Sequence, residues 1–413
     1  MPFTISLTLF LLSGNGISKI STASGSQQSI SFSEEFEYRP AQEREYIFNH
    51  IWKQVYEKFY VADIHGIDWK GYKDTYAKFL PHIDNNFDFQ EMLSELLGEL
   101  NGSHTGARYY YRPAYSMATL GVLYDNEYEG DGLKIKEVIK GGTLYVQDPE
   151  IKAGDIIEAI NGQKITADMD WYSLFQRKAG QKVVLTVKKD GKKATDIYVK
   201  PAGSDGTVMY RRWVEQRAEM VKKLSNGRIG YVHVEGMDSE SFRRVYSDLL
   251  GKYRTCEAVI VDTRHNGGGW LHDDLATLLS GKKYISFEPR GQYIGTEPYS
   301  KWTKPSCVLI GEDNYSDACG FPYVYKTLGI GKLIGAPVPG TMTAVWWETQ
   351  VDPSLVFGIP QVGAIAVKEG RYLENMQIEP DILVYNDPAS VLRGEDKQLE
   401  RAVAEMMKEI DNK

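Results

Sequence analysis

Ser316 stands in the run Asp313-Asn314-Tyr315-Ser316-Asp317-Ala318, after a short apolar stretch and at the start of a helical pattern. Two chemistries suit that place. A serine at a helix start commonly serves as an N-cap for the free amides of the first turn. The same strand-to-helix turn also exposes a hydroxyl as a nucleophile, with the next backbone amides aimed at a developing oxyanion. Gly267-Gly268-Gly269 follows Val259-Ile260-Val261-Asp262-Thr263-Arg264-His265-Asn266. Glycines after a strand let the backbone approach a ligand with N–H groups free to donate. The segment lacks Gly-Lys-Ser/Thr and GxGxxG spacing, so a phosphate loop is not indicated.

Seven histidines supply candidate bases: His50, His65, His82, His104, His233, His265 and His272. His104 lies in the polar run Ser103-His104-Thr105, where hydroxyls or a carboxylate can orient an imidazole. His265 adjoins the glycine run and is its rival. His272-Asp273-Asp274 reads either as metal ligands or as a solvated helix start. No second cluster with ligand spacing accompanies it, so no metal is expected. Cys319, one helical turn beyond Ser316, is either a second nucleophile or a core side chain. Glu374, with Glu379 as runner-up, can orient a histidine or a hydroxyl as the third member of a triad does.

The elements that must position these groups are legible in the apolar spacing. Ala41–Tyr60 places Ile47, Phe48, Ile51, Trp52, Val55, Tyr56 and Phe59 three or four apart, which predicts a helix preceded by Pro40. Asp88–Leu100 repeats the pattern and should stop near Asn101-Gly102, leaving Ser103-His104-Thr105 just past a helix end. Leu133–Val138 and Val183–Lys188 alternate as half-buried strands, and Asn161-Gly162 is a hairpin turn. Beyond a helix at about 209–224 come a strand at 229–234, a helix over Ser239–Tyr253, and apolar strands at Ala258–Asp262 and Val308–Gly311. A further helix runs from about 317 to 328. Such alternation predicts a mainly parallel sheet, with ligands beyond the carboxyl ends of its strands. Thr263–Trp270 and Glu312–Ser316 should therefore meet. Phe3–Leu12 is apolar but too short to span a bilayer. No Lys or Arg precedes it, so a hairpin of Leu7–Leu12 and Ile17–Ser21, with an extended Ser29–Phe32, is favoured over a signal peptide.

At about 150 residues per domain, 413 residues suggest two or three domains. A composition that is 42% hydrophobic and 25% charged excludes a disordered chain. The net charge of −8 repels a phosphate backbone and excludes nucleic acid as the main partner. Three cysteines cannot all pair within one chain, so a disulfide scaffold is excluded and the compartment stays open.

Ile151-Lys152-Ala153-Gly154-Asp155-Ile156-Ile157, followed by Ala159-Ile160-Asn161-Gly162, resembles part of a PDZ domain. That resemblance implies a carboxylate-binding loop at Leu120-Gly121-Val122, holding a peptide C-terminus while the peptide adds a strand. The ordered set is wider. Leu100-Asn101-Gly102-Ser103-His104-Thr105, the PDZ-like insert, Asp262–Gly269, Asn314–Ala318 with Phe321-Pro322-Tyr323, and Glu374-Asn375 with Pro380-Asp381 occur in one order. Together they resemble the tricorn-like serine peptidases, within the family of carboxyl-terminal processing peptidases.

The resemblance implies a multidomain α+β and α/β fold. Residues 1–32 would be β-strands left from a propeller blade, and 33–114 a helical lobe carrying Ser103 and His104. Residues 115–203 would be the PDZ-like domain, and 204–413 an α/β catalytic domain of ClpP/crotonase type with a mainly parallel sheet. Ser316 would be the nucleophile, His104 the general base, and Ser103 with Glu374 a relay behind it. The backbone N–H groups of Asp317 and of one glycine, with Gly268 favoured, would form the oxyanion hole. The family commonly has an acid three residues after the nucleophile. Cys319 stands there instead, which implies different substrate positioning. Peptide substrates, no cofactor, no membrane, assembly into homo-oligomers and a cytoplasmic setting are implied, with the periplasm as the alternative. Relatives carry propeller domains ahead of the helical lobe, so the chain is expected to be the C-terminal portion of a larger protein. The rival from another class is a catalytically inert PDZ-type peptide-binding scaffold. Trp346-Trp347, after Pro339-Gly340-Thr341, suits either a cleft wall or the core.

Overall fold

The computed structural model describes residues 8–412, apart from 15, 36, 112, 114, 148 and 149. Thr8–Ser13 (β1), Gly16–Ser21 (β2) and Gln27–Ile30 (β3) form an antiparallel sheet with β2 in the middle. The hairpin is present, and its third strand lies two residues earlier than Ser29–Phe32. Positions 3–7 fall outside the described residues. Leu9, Phe10, Leu12 and Phe32 are exposed, and none of the sheet joins a buried core.

Pro40–Lys58 (α1), Trp69–Ala77 (α2) and Asn86–Gly98 (α3) form a helical lobe. Pro40 occupies the first turn of α1, where a missing N–H costs nothing. Asn85 caps α3 through the amides of Phe87 and Asp88, both at 3.0 Å. The apolar faces of α1 and α3 meet in one core with Phe357 and Ile359, which come from far along the chain. Gly106–Tyr109 (β4), just after Ser103-His104, pairs antiparallel with residues 355–358. The lobe is thereby locked to the C-terminal half of the molecule.

Six strands make the next unit: Val122–Tyr124 (β5), Leu133–Val138 (β6), Ile156–Ile160 (β7), Gln163–Lys164 (β8), Val183–Lys188 (β9) and Thr195–Val199 (β10). The order is β10-β9-β7-β6-β5, with β8 on β7 and β5 at the edge. Strands β6 and β9 cover the ranges read from their alternation. Asn161 and Gly162 both hold positive φ, +49° and +80°, as a two-residue hairpin turn requires. Ile135, Ile157, Val183, Leu185 and Val187 fill a separate core.

The rest of the chain is built on a five-stranded parallel sheet. Gly206–Leu224 (α4) leads to Ile229–His233 (β11), Ser239–Ser247 (α5), Ala258–Asp262 (β12) and His272–Leu279 (α6). The expected helix over Ser239–Tyr253 is interrupted: α5 gives way to a wider π-type turn at Asp248–Lys252. A small hairpin, Ile285–Phe287 (β13) and Gly295–Glu297 (β14), precedes Ser306–Ile310 (β15), Asp317–Thr327 (α7) and Lys332–Gly335 (β16). Thr343–Thr349 (β17) and Leu355–Gly363 (β18) form a three-stranded sheet with β4. Ile365–Ala366 (β19) and Arg371–Tyr372 (β20) pair next, followed by Ile382–Leu383 (β21), Pro388–Leu392 (α8) and Lys397–Asp411 (α9). The large sheet runs β11-β12-β15-β16-β21, every pair parallel. Val259 and Val261 of β12 face a core shared with α5, α6 and α7, whereas Ala258 and Ile260 face α4 and α9. Helices on both faces explain why these strands read as unbroken apolar runs. They also bring the loops after β12 and β15 side by side.

Candidate active site

Ser316 sits where the chain turns from β15 into α7. Its backbone holds φ +57° and ψ −124°, a strained conformation for any residue but glycine. Its side chain makes no capping hydrogen bond, so the N-cap alternative is overturned. The backbone N–H instead donates to Thr341 Oγ1 at 2.9 Å, which turns the residue away from its helix. Buried Asn314 braces the turn by donating to Thr263 Oγ1 (2.9 Å) and to the Ala318 carbonyl (3.2 Å). Pro322 has no N–H for that carbonyl, so the helix would otherwise leave it unpaired.

The glycine run approaches from the loop after β12. The Arg264 guanidinium is forked between Asp262 (2.7 Å) and Asp396 (2.9 Å), all three buried. Tyr315 N–H donates to the Asn266 carbonyl at 3.0 Å and joins the two loops. A Cβ on Gly268 would lie 2.5 Å from Ser316 Cβ and 2.7 Å from the Tyr315 carbonyl, at φ +99°. We therefore expect Gly268→Ala to lose about 1–3 kcal/mol of stability through overpacking, read as a lowered melting temperature. An unchanged melting temperature in that variant would show that the loops do not meet as closely as this.

Gly268 itself departs from expectation. Its N–H donates to Asn266 Oδ1 at 2.8 Å, while Asn266 Nδ2 is held by the Val234 carbonyl at 2.7 Å. With both ends of that buried amide engaged, the Gly268 amide is not free for an oxyanion. The N–H groups of Gly267, Gly269 and Asp317 carry no hydrogen-bond partner among the described residues. Gly269, Asp317 and Ser316 line one cavity of about 210 Å³, whose other walls are mostly apolar and include Trp270, Met342, Val345 and Val362.

The Asp317 carboxylate is buried and accepts from Leu271 N–H (2.5 Å), His272 N–H (3.0 Å) and His272 Nδ1. His272 is thus committed to Asp317, whose hydrogen bond raises its pKa. His272 opens α6, and Asp273 and Asp274 beside it are exposed in the first turn, as a solvated helix start requires.

His104 comes from the other side of the cleft, between α3 and β4. It too holds positive φ, +62°. Its N–H donates to Tyr315 Oη at 2.7 Å, and the two rings lie 4.7 Å apart. The neighbour of Ser316 therefore docks the histidine segment. Nδ1 lies 2.7 Å from Ser103 Oγ and 3.0 Å from Thr343 Oγ1. Ser103 Oγ donates to Glu374 Oε2 at 3.0 Å, and Ser103 N–H to Oε1 at 2.5 Å. An ionised carboxylate only accepts, so the Ser103 proton must point at Glu374. Ser103 Oγ then accepts from Nδ1–H, a tautomer assigned from the network that leaves the Nε2 lone pair free. Burial lowers the His104 pKa to about 4 and raises that of Glu374.

The rivals lie elsewhere. His265 is exposed and paired with Asp313 at 2.5 Å. Glu379 is exposed and accepts from Gln377 at 2.6 Å. Cys319 is fully buried, and burial pushes its thiol up to about 11. Trp346 is exposed and Trp347 lies under the Arg108 guanidinium at 3.8 Å, so neither belongs to the core. Leu120 and Val122 are buried, and the Gly121 amide is directed at Asp205. Sequence reasoning passed over Tyr315, Thr341, Thr343 and Asn266. Their side chains act on distant partners, and no spacing along the chain signals that.

Comparison with known families accounts for most of this architecture. Residues 40–98 match the tricorn protease C1 domain, 120–204 the tricorn protease PDZ domain, and 228–384 peptidase family S41. The three matched segments, in this order, make the chain similar to the tricorn proteases. Tricorn protease homolog 1 of Streptomyces coelicolor is 27% identical over 380 residues, covering 88% of this chain and 35% of that protein. The tricorn protease of Thermoplasma acidophilum is 24% identical over 352 residues, covering 82% and 32%. The crystal structure of the tricorn protease superposes with a TM-score of 0.84 at 20% identity, over 96% of this chain and 40% of that one, which is a likeness of fold. This tricorn-like chain spans about a third of the length of those two relatives. No helix among its described residues is long and apolar enough to cross a membrane.

Proposed function

We propose that the chain is a serine peptidase in which Ser316 attacks a peptide carbonyl and His104 is the general base. The observation that carries this reading is the Glu374–Ser103–His104 relay, joined through Tyr315 to a strained turn bearing an unbonded serine hydroxyl. His104 Nε2 takes the Ser316 proton as Oγ attacks, and the relay stabilises the imidazolium that forms. The tetrahedral oxyanion accepts from the Asp317 N–H, at the positive end of α7, and from the Gly269 N–H in place of Gly268. Each such donor is worth about 3 kcal/mol of barrier. His104 then protonates the leaving amine, and water releases the acyl group from Ser316. The apolar cavity beside Ser316 suits an uncharged substrate side chain. The same relay argues against an inert PDZ scaffold, which has no use for a buried carboxylate linked through Ser103 to a histidine.

A serine-reactive phosphonate tests the reading, because its attack needs the same base. The adduct should fall on Ser316, located by mass spectrometry of digested protein. The rate should be pH-dependent with a definite sign. Below the His104 pKa, Nε2 carries a proton and cannot accept one, so labelling falls as pH drops through about 4. A rate that does not fall on acidification, or an adduct on another residue, counts against it.

A further inference from the structure

Asp205 is the residue immediately beyond the segment that matches the tricorn protease PDZ domain, and it stands at the N-cap of α4. An aspartate there ordinarily accepts the amides of its own first turn. This one does not. Its carboxylate reaches back into the PDZ-like unit, where Oδ1 accepts from Thr119 Oγ1 at 2.6 Å and Oδ2 from the Gly121 N–H at 3.3 Å. Thr119 and Gly121 flank Leu120, at the head of the edge strand β5. Gly121 is at φ +69°, and a Cβ on it would lie 2.4 Å from Gly142 Cα, so the loop that presents this amide accepts only glycine. Asp205 also bears on β5 itself: after burial, its charge is the next largest cause raising the Tyr124 phenol.

We propose that Asp205 is the resident ligand of the PDZ-like carboxylate-binding loop, so that the terminal carboxylate of a peptide enters only by replacing it. A backbone amide and a hydroxyl converging on one carboxylate are what capture of a chain terminus requires. Asp205 uses both donors, one per oxygen. A second carboxylate at the same donors would find them occupied and meet a like charge. The edge of β5 stays available for an added strand, but the anchor at its head is taken. The inference rests on the PDZ-like assignment, not on the peptidase reading.

The test uses the whole chain carrying Ser316→Ala, so that bound peptide is not cleaved. The probe is a pool of fluorescein-labelled hexapeptides ending in Ala, Val, Leu or Phe, supplied as free acids and as C-terminal amides and followed by fluorescence polarisation. Adding Asp205→Ala should tighten binding of the free acids by about tenfold or more and leave the amides unchanged. Asp205→Asn, which keeps the side-chain volume and removes the like charge, should move binding the same way by less. It also guards against a poorly folded alanine variant. Free acids that bind the parent and both variants equally, tightly or not at all, would overturn the proposal. So would a gain shared equally by the amides. Because turnover is not read, the binding result stands or falls separately from the assignment of Ser316.

Discussion

Ser316→Ala should lower kcat/KM for peptide hydrolysis by about 10⁵–10⁶-fold while the protein remains folded. The first half follows from covalent catalysis: without Oγ there is no acyl-enzyme, and only binding and the oxyanion amides remain to assist attack by water. The second half follows from the surroundings of the side chain. Its hydroxyl makes no capping hydrogen bond and has no partner among the described residues, so its removal leaves none of them unsatisfied. The positive φ at 316 is as costly for alanine as for serine, so the strain is unchanged. Digestion of a peptide library read by mass spectrometry measures the loss, and a melting curve within about 2 °C of wild type establishes the fold, since larger shifts mean kcal/mol-scale changes. Turnover that survives the substitution would remove Ser316 from the mechanism.

Glu374→Gln should be nearly as damaging, although it exchanges a single oxygen for nitrogen. The side-chain oxygen of the new amide can still accept from Ser103 N–H. Its NH₂ group, however, donates to Ser103 Oγ where the carboxylate accepted. Ser103 must then turn its own proton toward His104 Nδ1. That selects the tautomer with hydrogen on Nε2, which cannot take a proton from Ser316. A wrong tautomer of this kind costs about 10⁴-fold in serine proteases, and we expect a fall in kcat of about 10³–10⁴ with KM changed only a few-fold. The fold should tolerate the change. Burial raises the Glu374 carboxyl pKa, which means that the site disfavours the charge it carries, and a neutral amide relieves that cost. A purely structural Glu374 would leave kcat where it was, and that result would break the relay.

Much of this arrangement was legible in the chain. The apolar periodicity of Ala41–Tyr60 and the alternation in Leu133–Val138 and Val183–Lys188 correspond closely to α1, β6 and β9. Burial of one face imposes a period, and a period is visible without coordinates. The buried strand Ala258–Asp262 was visible for the same reason, with both faces covered, whereas the strand read at Val308–Gly311 begins two residues earlier, at Ser306, and ends at Ile310. The helix ends were less so. Helix α3 stops at Gly98 rather than Asn101-Gly102 because its last turn tightens, with Leu100 N–H bonded to the Leu97 carbonyl at 3.3 Å. Ser316 shows the limit most clearly. Cap and nucleophile use the same residue type at the same helix start, and the choice lay with Thr341, 25 residues downstream, which holds the Ser316 amide.

The sequence by itself determined most of the elements and the parallel sheet, and its resemblance to a known family implied the candidates Ser103, His104, Ser316 and Glu374, with Glu379 left open. Those depend on local spacing, on motif order and on which residue types can move a proton. Tertiary structure decided their hydrogen bonds. It set Glu374 rather than Glu379 behind Ser103, bound the Gly268 amide to Asn266 and left that of Gly269 free, paired His272 with Asp317, and turned Asp205 into the PDZ-like loop. A hydrogen bond is made or lost within a few tenths of an ångström and a few tens of degrees. Partners 271 residues apart, as Ser103 and Glu374 are, meet at that precision only once every layer between them has packed.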